Sequence, residues 1–586
     1  MKAFVTLREY FINDRWYIAA GFISLIAVDL LQLLIPLIIK AAVDDLTGGA
    51  FTENTLLYYG LLMVAIGAAA AVLRFCWRYC IIGTSRRIET ALRDRLFSHV
   101  IHLPLARLIQ TSTGDLMSRM TNDIDAVRMC TSIGIVAMVD TVVLGATSII
   151  FMGWLSMKLT LLCLLPMLII IVATWRLSGL LHKRFSQVQV TFSRMTEMVR
   201  ETLAGMAVIR AFAREPDNAE AFNALSTDYI TKNLALVRIW GSLFPFIVLI
   251  SNISVCVLIF FGGRYTIAGS ITPGDFVAFT NYIWILIWPM MALGWIVNLF
   301  QRGAASMARI NEVLAWQAEP LEQGSPAACA VSGNIEVRNL SFTYQAGTRP
   351  AVHSVSLTIP AGGTIGITGT TGSGKSTLCN LLLRFFDPPR GSIFVDGKDI
   401  CDIPLQEIRS CVAYVPQDSF LFSDTIMSNI VFGRPESLAA DAAAQAQRAQ
   451  MTDEILSFRE GFATVIGEKG ITLSGGQKQR LCIARALLME TPLLIFDDAL
   501  SSLDAATTQA LIEKLDGQAS QQTRIIVSNR IASIQHADMI YVFDNSRIVA
   551  QGTHDELLAL RGLYYQLYQR QKLEEAEAVS NGLLKK

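Results

Sequence analysis

Eight residues, Gly369-Thr370-Thr371-Gly372-Ser373-Gly374-Lys375-Ser376, restrict the fold of this 586-residue chain more than any other stretch. They fit the phosphate-binding pattern of two fixed glycines followed by Lys-Ser. The apolar run Thr364–Thr368 before them predicts a short buried strand, and Leu378–Leu383 after them predicts a helix. In that setting the glycines turn backbone N–H groups inward around a polyphosphate, and the helix N-terminus adds partial positive charge. Lys375 then reaches the β- and γ-phosphates, and the Ser376 hydroxyl holds Mg²⁺. A glycine-rich turn alone needs neither the Lys-Ser ending nor the strand and helix on its flanks.

The rest of the chain is too long for one domain and too apolar for water alone. Hydrophobic residues make up 52% and charged residues 17%, with mean hydropathy +0.43; soluble chains carry about a quarter charged residues. Net charge is zero, which gives no electrostatic argument for nucleic acid as a partner. The ten cysteines show neither paired nor metal-ligand spacing and are expected to be buried thiols. No cleavable leader is legible before the first apolar run.

Six apolar segments are long enough to cross a bilayer, at about 16–39, 56–80, 133–155, 159–181, 243–267 and 276–300. Segments two and three, and four and five, are separated by long polar stretches with helical periodicity. Those stretches are expected to extend the membrane helices beyond the lipid. They carry Arg86, Arg87, Arg93, Arg95, Arg107, Arg119 and Arg128, then Lys183, Arg184, Arg194, Arg200, Arg210 and Arg214. The first short loop has Asp44, Asp45 and Glu53 but no Lys or Arg. The basic residues therefore predict that the long connections, and both termini, face the cytoplasm. Breaks near Gly114 and Gly205 read either as loops or as short transverse helices at hairpin tips.

Asp29, Arg74, Asp140 and Arg176 fall within or near apolar spans. A charge in lipid is costly, so each needs a partner or a cavity. The two arginines lie near segment ends and can snorkel; the two aspartates fit either helix pairing or a translocation path. Trp284, Trp288, Met290, Met291, Trp295 and Phe300 form a large-side-chain stripe suited to helix packing, an interfacial belt or apolar cargo. Residues 311–330 lose hydrophobicity and gain Pro and Gly, which predicts a linker between a membrane domain (1–310) and a soluble domain (331–586).

In the soluble half, Ile335–Phe342 alternates as a strand and ends near Tyr344, which can stack on an adenine ring. Pro492–Asp497 is an apolar strand ending in an acid, where a Mg²⁺-supporting carboxylate belongs. Leu473-Ser474-Gly475-Gly476-Gln477 opens a helix and offers a second set of free N–H groups.

Together, the phosphate loop, the Leu-Ser-Gly-Gly-Gln turn and the Asp497 strand resemble the ATP-binding cassette. Six crossings ahead of one cassette resemble an exporter half-transporter over nearly the whole chain. The implied fold is a membrane all-α six-helix exporter domain joined to an α/β P-loop NTPase. The implied cofactors are ATP and Mg²⁺. By resemblance, Tyr344, Gly369 to Ser376 and Thr377 contact nucleotide, Ser376, Gln417 and Asp497 hold the metal, and Gln417 also contacts the attacking water. Ser474, Gly475, Gly476 and Gln477 face ATP held by a second cassette, and Asp504 in Ser501-Ser502-Leu503-Asp504 signals across the pair. Gly467-Glu468-Lys469-Gly470 and the breaks near Gly114 and residue 207 are implied to couple the two domains.

Two positions depart from the family pattern. Asp498 stands where a glutamate polarises the attacking water, and Asn529 stands where a histidine is usual. Aspartate reaches about 1.5 Å less far, and a general base must come within about 2.6–3.2 Å of its water. Asparagine cannot be a cation or shuttle a proton. These changes predict a pocket that binds nucleotide and cleaves it poorly. The intact signature turn then serves a different, competent half-transporter in a heterodimer. The expected activity is ATP-driven export of hydrophobic or amphiphilic drugs across a bacterial inner membrane. The alternatives are a lipid flippase of the same fold and an ATP-gated regulator or channel.

Overall fold

The computed structural model describes residues 2–48, 52–319, 331–344, 347, 349–467, 470, 473–503, 505–516 and 522–580. Contacts divide the chain into two compact units, Met1–Leu103 with Thr111–Ala318, and Pro104–Gln110 with Glu319–Lys586. Residues 320–330 of the expected linker, Glu468, Lys469 and Asp504 lie outside the described residues.

The described part of the first unit is helical. Among the described residues, five helical runs are long and apolar enough to cross a membrane. They contain α1 (Arg15–Thr47), α2 (Glu53–Trp77), α3 (Ile135–Ala204), α4 (Glu215–Val257) and α5 (Pro273–Leu314). The expected third and fourth apolar segments both lie in α3, which leaves helical geometry at Ser156 (φ −163°, ψ 105°). One extended residue makes the break, so no Gly- or Pro-rich loop marks it in the sequence. The polar connections are helical as well: α2 belongs to a run that ends at Ile101. Of the two breaks, the first is the helix Thr113–Ser118, capped by the Ser112 hydroxyl, which accepts the Asp115 N–H at 3.1 Å. The second is Met206–Ala211, set off from α3 by Gly205.

Helix α5 is the hub of this unit. Phe279, Tyr282, Ile283 and Leu286 are fully buried against Leu33 of α1 and Met152, Leu159, Cys163 and Met167 of α3. The buried Tyr282 hydroxyl needs an acceptor and donates to the Leu33 carbonyl at 2.9 Å. At the start of α5, Thr272 and Asp275 form a capping box with Pro273 in the first turn. That end is tied to α1. Lys40 pairs with Asp275 at 2.7 Å, and Asp44 accepts the Gly274 N–H at 2.8 Å and the Thr272 hydroxyl at 2.9 Å. A Cβ on Gly274 would sit 2.3 Å from the Lys40 carbonyl, so only glycine permits this approach. Near the other end, Asn311 donates to the Ala3 carbonyl and accepts from Thr6, both at 2.8 Å. Asp123, 2% exposed, accepts from Ser306 at 2.9 Å and from Arg309.

Asp29 is 3% exposed, and one oxygen each of Asp29 and Asp140 is buried without a hydrogen-bond partner among the described residues. Arg74 and Arg176 are exposed. The aromatic stripe of α5 divides: Trp284 and Trp288 are about half exposed, whereas Met290 is buried. Eight described cysteines are free thiols, but Cys256 is exposed and Cys411 is disulfide-bonded. The buried-thiol expectation fails at both, and Cys76, Cys80 and Cys401 are only half-buried; spacing along the chain reports neither burial nor which cysteines meet in space.

The second unit is α/β. One sheet has four antiparallel strands in the order β2-β1-β4-β5: β1 (Ile335–Phe342), β2 (Val352–Ile359), β4 (Ile393–Val395) and β5 (Lys398–Asp399). The other has six, in the order β10-β9-β3-β8-β7-β6: β3 (Thr364–Gly369), β6 (Val412–Val415), β7 (Leu493–Asp497), β8 (Thr523–Val527), β9 (Met539–Asp544) and β10 (Arg547–Gly552). Strands β9, β3, β8, β7 and β6 run parallel, and β10 closes the edge antiparallel. Parallel strands are covered on both faces, which explains their unbroken apolar runs; every residue of β7 and β8 is buried.

Candidate nucleotide site

In open parallel sheets, ligands bind beyond the carboxyl ends of the strands. The register here fixes which residues meet. Val527, last in β8, lies opposite Ile367 of β3 on one side and Asp497 of β7 on the other. Asn529 therefore emerges between the phosphate loop after β3 and the carboxylate ending β7. Val415 of β6 lies opposite Phe496, which brings Gln417 to the same edge. Tyr344, Thr371 to Thr377, Gln417, Asp497, Asp498 and Asn529 line one cavity of about 310 Å³. Gly369 and Thr370 support it from below: their carbonyls accept from the Lys375 ammonium at 3.0 and 2.8 Å.

The loop takes backbone conformations that would strain a residue with a side chain, and the sequence places glycine there. Gly369, Gly372 and Gly374 have φ of 143°, 78° and 99°. A Cβ on Gly374 would stand 2.2 Å from the Ala351 carbonyl oxygen. Gly374→Ala is therefore expected to cost about 2 kcal/mol. In calorimetry of the intact protein, unfolding of the cassette should fall by about 4–8 °C.

Helix α6 (Lys375–Leu382) begins at this loop and points its N-terminus into the cavity. The Ser376 hydroxyl donates to one Asp497 oxygen at 2.9 Å, and the Tyr414 hydroxyl donates to the other at 3.3 Å. The Tyr344 hydroxyl donates to Thr377 at 3.1 Å, and its ring packs edge-on to Phe386, centroids 4.9 Å apart. Asp498 adopts the left-handed backbone region (φ 51°), which Asp tolerates better than most side chains. Its carboxylate faces Asn529, with the backbone N–H at 3.4 Å and Nδ2 at 3.5 Å. Burial depresses the Lys375 pKa against the opposing pull of Asp498 and Asp497. Burial also raises Asp497 and Asp498, although Ser376 and Tyr414 counter it at the first and Asn529 and Lys375 at the second. All three groups are thus placed where added charge of the right sign relieves them.

The Ser474–Gln477 turn lies elsewhere and does not line this cavity. It opens α7 (Gly475–Leu488) with a capping box: Ser474 Oγ accepts the Gln477 N–H at 3.3 Å, and Gln477 Oε1 accepts the Ser474 N–H at 2.8 Å. Ser474 is exposed, so the turn presents its free N–H groups outward. The neighbouring Ser502 N–H is held by Gln479 at 3.0 Å. Sequence reading missed Tyr414, although it sits on β6 three residues ahead of Gln417. It also missed Asp544, which accepts from Thr370 at 2.9 Å across 174 residues.

A phosphate loop and a metal-supporting acid on one parallel sheet, fused to a bundle of membrane-length helices, define a membrane-bound P-loop ATPase. Two family models match the chain, the ABC transporter transmembrane region over residues 18–290 and the ABC transporter model over 352–501. The chain is 35% identical to the probable multidrug resistance ABC transporter ATP-binding/permease protein YheI of Bacillus subtilis, across 95% of each chain. It is also 35% identical to the multidrug resistance-like ATP-binding protein MdlA of Escherichia coli, across 98% of each. The structure of a bacterial Atm1-family ABC exporter with ATP bound superposes with a TM-score of 0.77 at 25% identity, covering 96% of this chain and 98% of that one. The chain belongs to the ABC transporters, with the membrane region and the ATPase in one polypeptide.

Proposed function

We propose that this chain is one subunit of a heterodimeric exporter and that its own pocket retains MgATP and hydrolyses it slowly. The observation that carries this reading is the Asp498–Asn529 pair. The carboxylate that would polarise water is one methylene short, and it faces an amide rather than an imidazole.

The residues present suit MgATP. Ser376, Asp497 and Gln417 supply a few hard oxygen donors on one wall, as Mg²⁺ prefers when it keeps waters and phosphate as its other ligands. Ser373 lines the cavity with a buried hydroxyl that has no partner among the described residues. Mg²⁺, when bound, offsets charge on the β- and γ-phosphates. Lys375 supplies the counter-charge from the loop, Tyr344 stacks on the adenine, and Tyr414 keeps Asp497 oriented. The Asn529 amide donates to a terminal-phosphate oxygen, and Asp498 accepts from the water beside it without taking up a proton efficiently. The Ser474–Gln477 turn completes the pocket of a second, different half-transporter, in which Asp504 also takes part. The cargo is a hydrophobic or amphiphilic molecule. The basic residues of the long connections put them, both termini and the cassette on the cytoplasmic side of a bacterial inner membrane.

Purified alone in lipid nanodiscs, the chain is expected to bind ATP yet turn it over at least about tenfold below the ~10 s⁻¹ enzyme median. Turnover at or above that median by the isolated chain overturns the heterodimer reading.

A further inference from the structure

The last described helix, α8 (Leu563–Ser580), lies outside every motif that defines the site. Tyr564 anchors it in the core at 1% exposure, with Leu567 and Tyr568 packed alongside. Gln571 falls one turn further along the same face, at the i, i+4, i+7 spacing. Its Nε2 donates to the Asn529 carbonyl at 2.6 Å, and its Oε1 accepts the Ile531 N–H at 2.9 Å. Both bonds require this one orientation of the amide, since a carbonyl only accepts and an N–H only donates.

The same loop is held from its other side. Ser528 N–H donates to the Ile367 carbonyl at 3.0 Å, and the Arg530 guanidinium donates to the Leu503 carbonyl at 2.5 Å. The peptide whose carbonyl Gln571 grips belongs to the residue whose N–H and Nδ2 face Asp498. Asn529 lines the phosphate cavity; Gln571 does not.

We infer that Gln571 is a positioning residue: by gripping Asn529 and Ile531 it aims the Asn529 side chain into the cavity. The C-terminal helix thereby sets how long this pocket retains a nucleoside triphosphate. The inference rests on the reading of the cavity as an ATP-retaining pocket.

The test uses the full chain in lipid nanodiscs and a fluorescent N-methylanthraniloyl ATP with Mg²⁺, with dissociation followed after dilution. Gln571→Leu should speed release about fivefold, the effect of losing one or two net hydrogen bonds. Gln571→Glu keeps the acceptor for Ile531 and loses the donor to Asn529, so an intermediate, about twofold, acceleration is expected. In an Asn529→Ala background, Gln571→Leu should add little, because the side chain that it aims is gone. The same fivefold factor in both backgrounds would reduce Gln571 to a structural support and overturn the inference. So would unchanged release in Gln571→Leu. No binding of the probe by the unaltered chain would sink the pocket reading itself, an outcome distinct from binding that ignores Gln571.

Discussion

Ser474→Arg in this chain is expected to lower ATP turnover of the assembled exporter by about a hundredfold or more, whereas Lys375→Ala in the same chain should lower it only a few-fold. Ser474 caps α7 through the Gln477 N–H, and the residues of that helix end do not line the chain's own cavity. An arginine there removes the cap, worth about 1 kcal/mol, and fills the space beside the N–H groups that would meet a phosphate. If those N–H groups stabilise charge in the partner's pocket, losing them falls on the step that sets turnover, on the scale of other oxyanion donors at about 10²–10³. Lys375, by contrast, serves the pocket that we propose to be slow. Its loss empties or loosens that pocket while the partner's pocket goes on cleaving. Steady-state ATP hydrolysis by the purified pair, with each variant carried only by this chain, measures both. The reverse order, with Lys375→Ala silencing the pair and Ser474→Arg tolerated, would make this chain's own pocket the hydrolytic one.

Asp498→Glu combined with Asn529→His should raise ATP turnover in this chain's own pocket about tenfold, read in the chain purified alone in lipid nanodiscs, where no partner's pocket contributes. The longer side chain carries the carboxylate about 1.5 Å further, into reach of a water at the terminal phosphate, and the imidazole restores a group that can carry a proton. General-base catalysis contributes roughly 10²–10⁴-fold where it operates fully, so a tenfold gain assumes only partial recovery. The single changes should together give less than the double. The two side chains touch, at 3.5 Å, and changes at touching residues do not add. An unchanged rate in the double variant would mean that chemistry in this pocket is limited elsewhere.

Much of this site was legible because its parts are local. The phosphate loop with its strand and helix occupies one short stretch, and the Asp497 strand and the Ser474 turn each carry their own signal of periodicity or glycine placement. The register of the six-stranded sheet gives the physical reason for a placement that the family resemblance implied: Val527 stands between Ile367 and Asp497, which brings Asn529 to the cavity. Contacts joining distant stretches left no trace in the pattern. Gln571 reaches Asn529 across 42 residues from a helix with no motif. The break at Ser156 was readable only as a boundary between two apolar segments, since a single extended residue makes it. The disulfide at Cys411 escaped a reading based on spacing for the same reason. The membrane helices themselves were legible from length and hydropathy, but not which of them α5 packs against.

The tie between Asp44 and Gly274 has a consequence for how the protein is made. Its two ends are 230 residues apart. At about 5–20 residues per second, a ribosome needs on the order of 10–50 s to travel from one to the other. For that interval the first helix sits in the bilayer with its terminal carboxylate unanswered, held by whatever the insertion machinery or water provides. The tie at this end of the bundle is therefore a late product of synthesis, and a truncated transcript that stops before Gly274 leaves Asp44 without the partners that it has in the complete bundle.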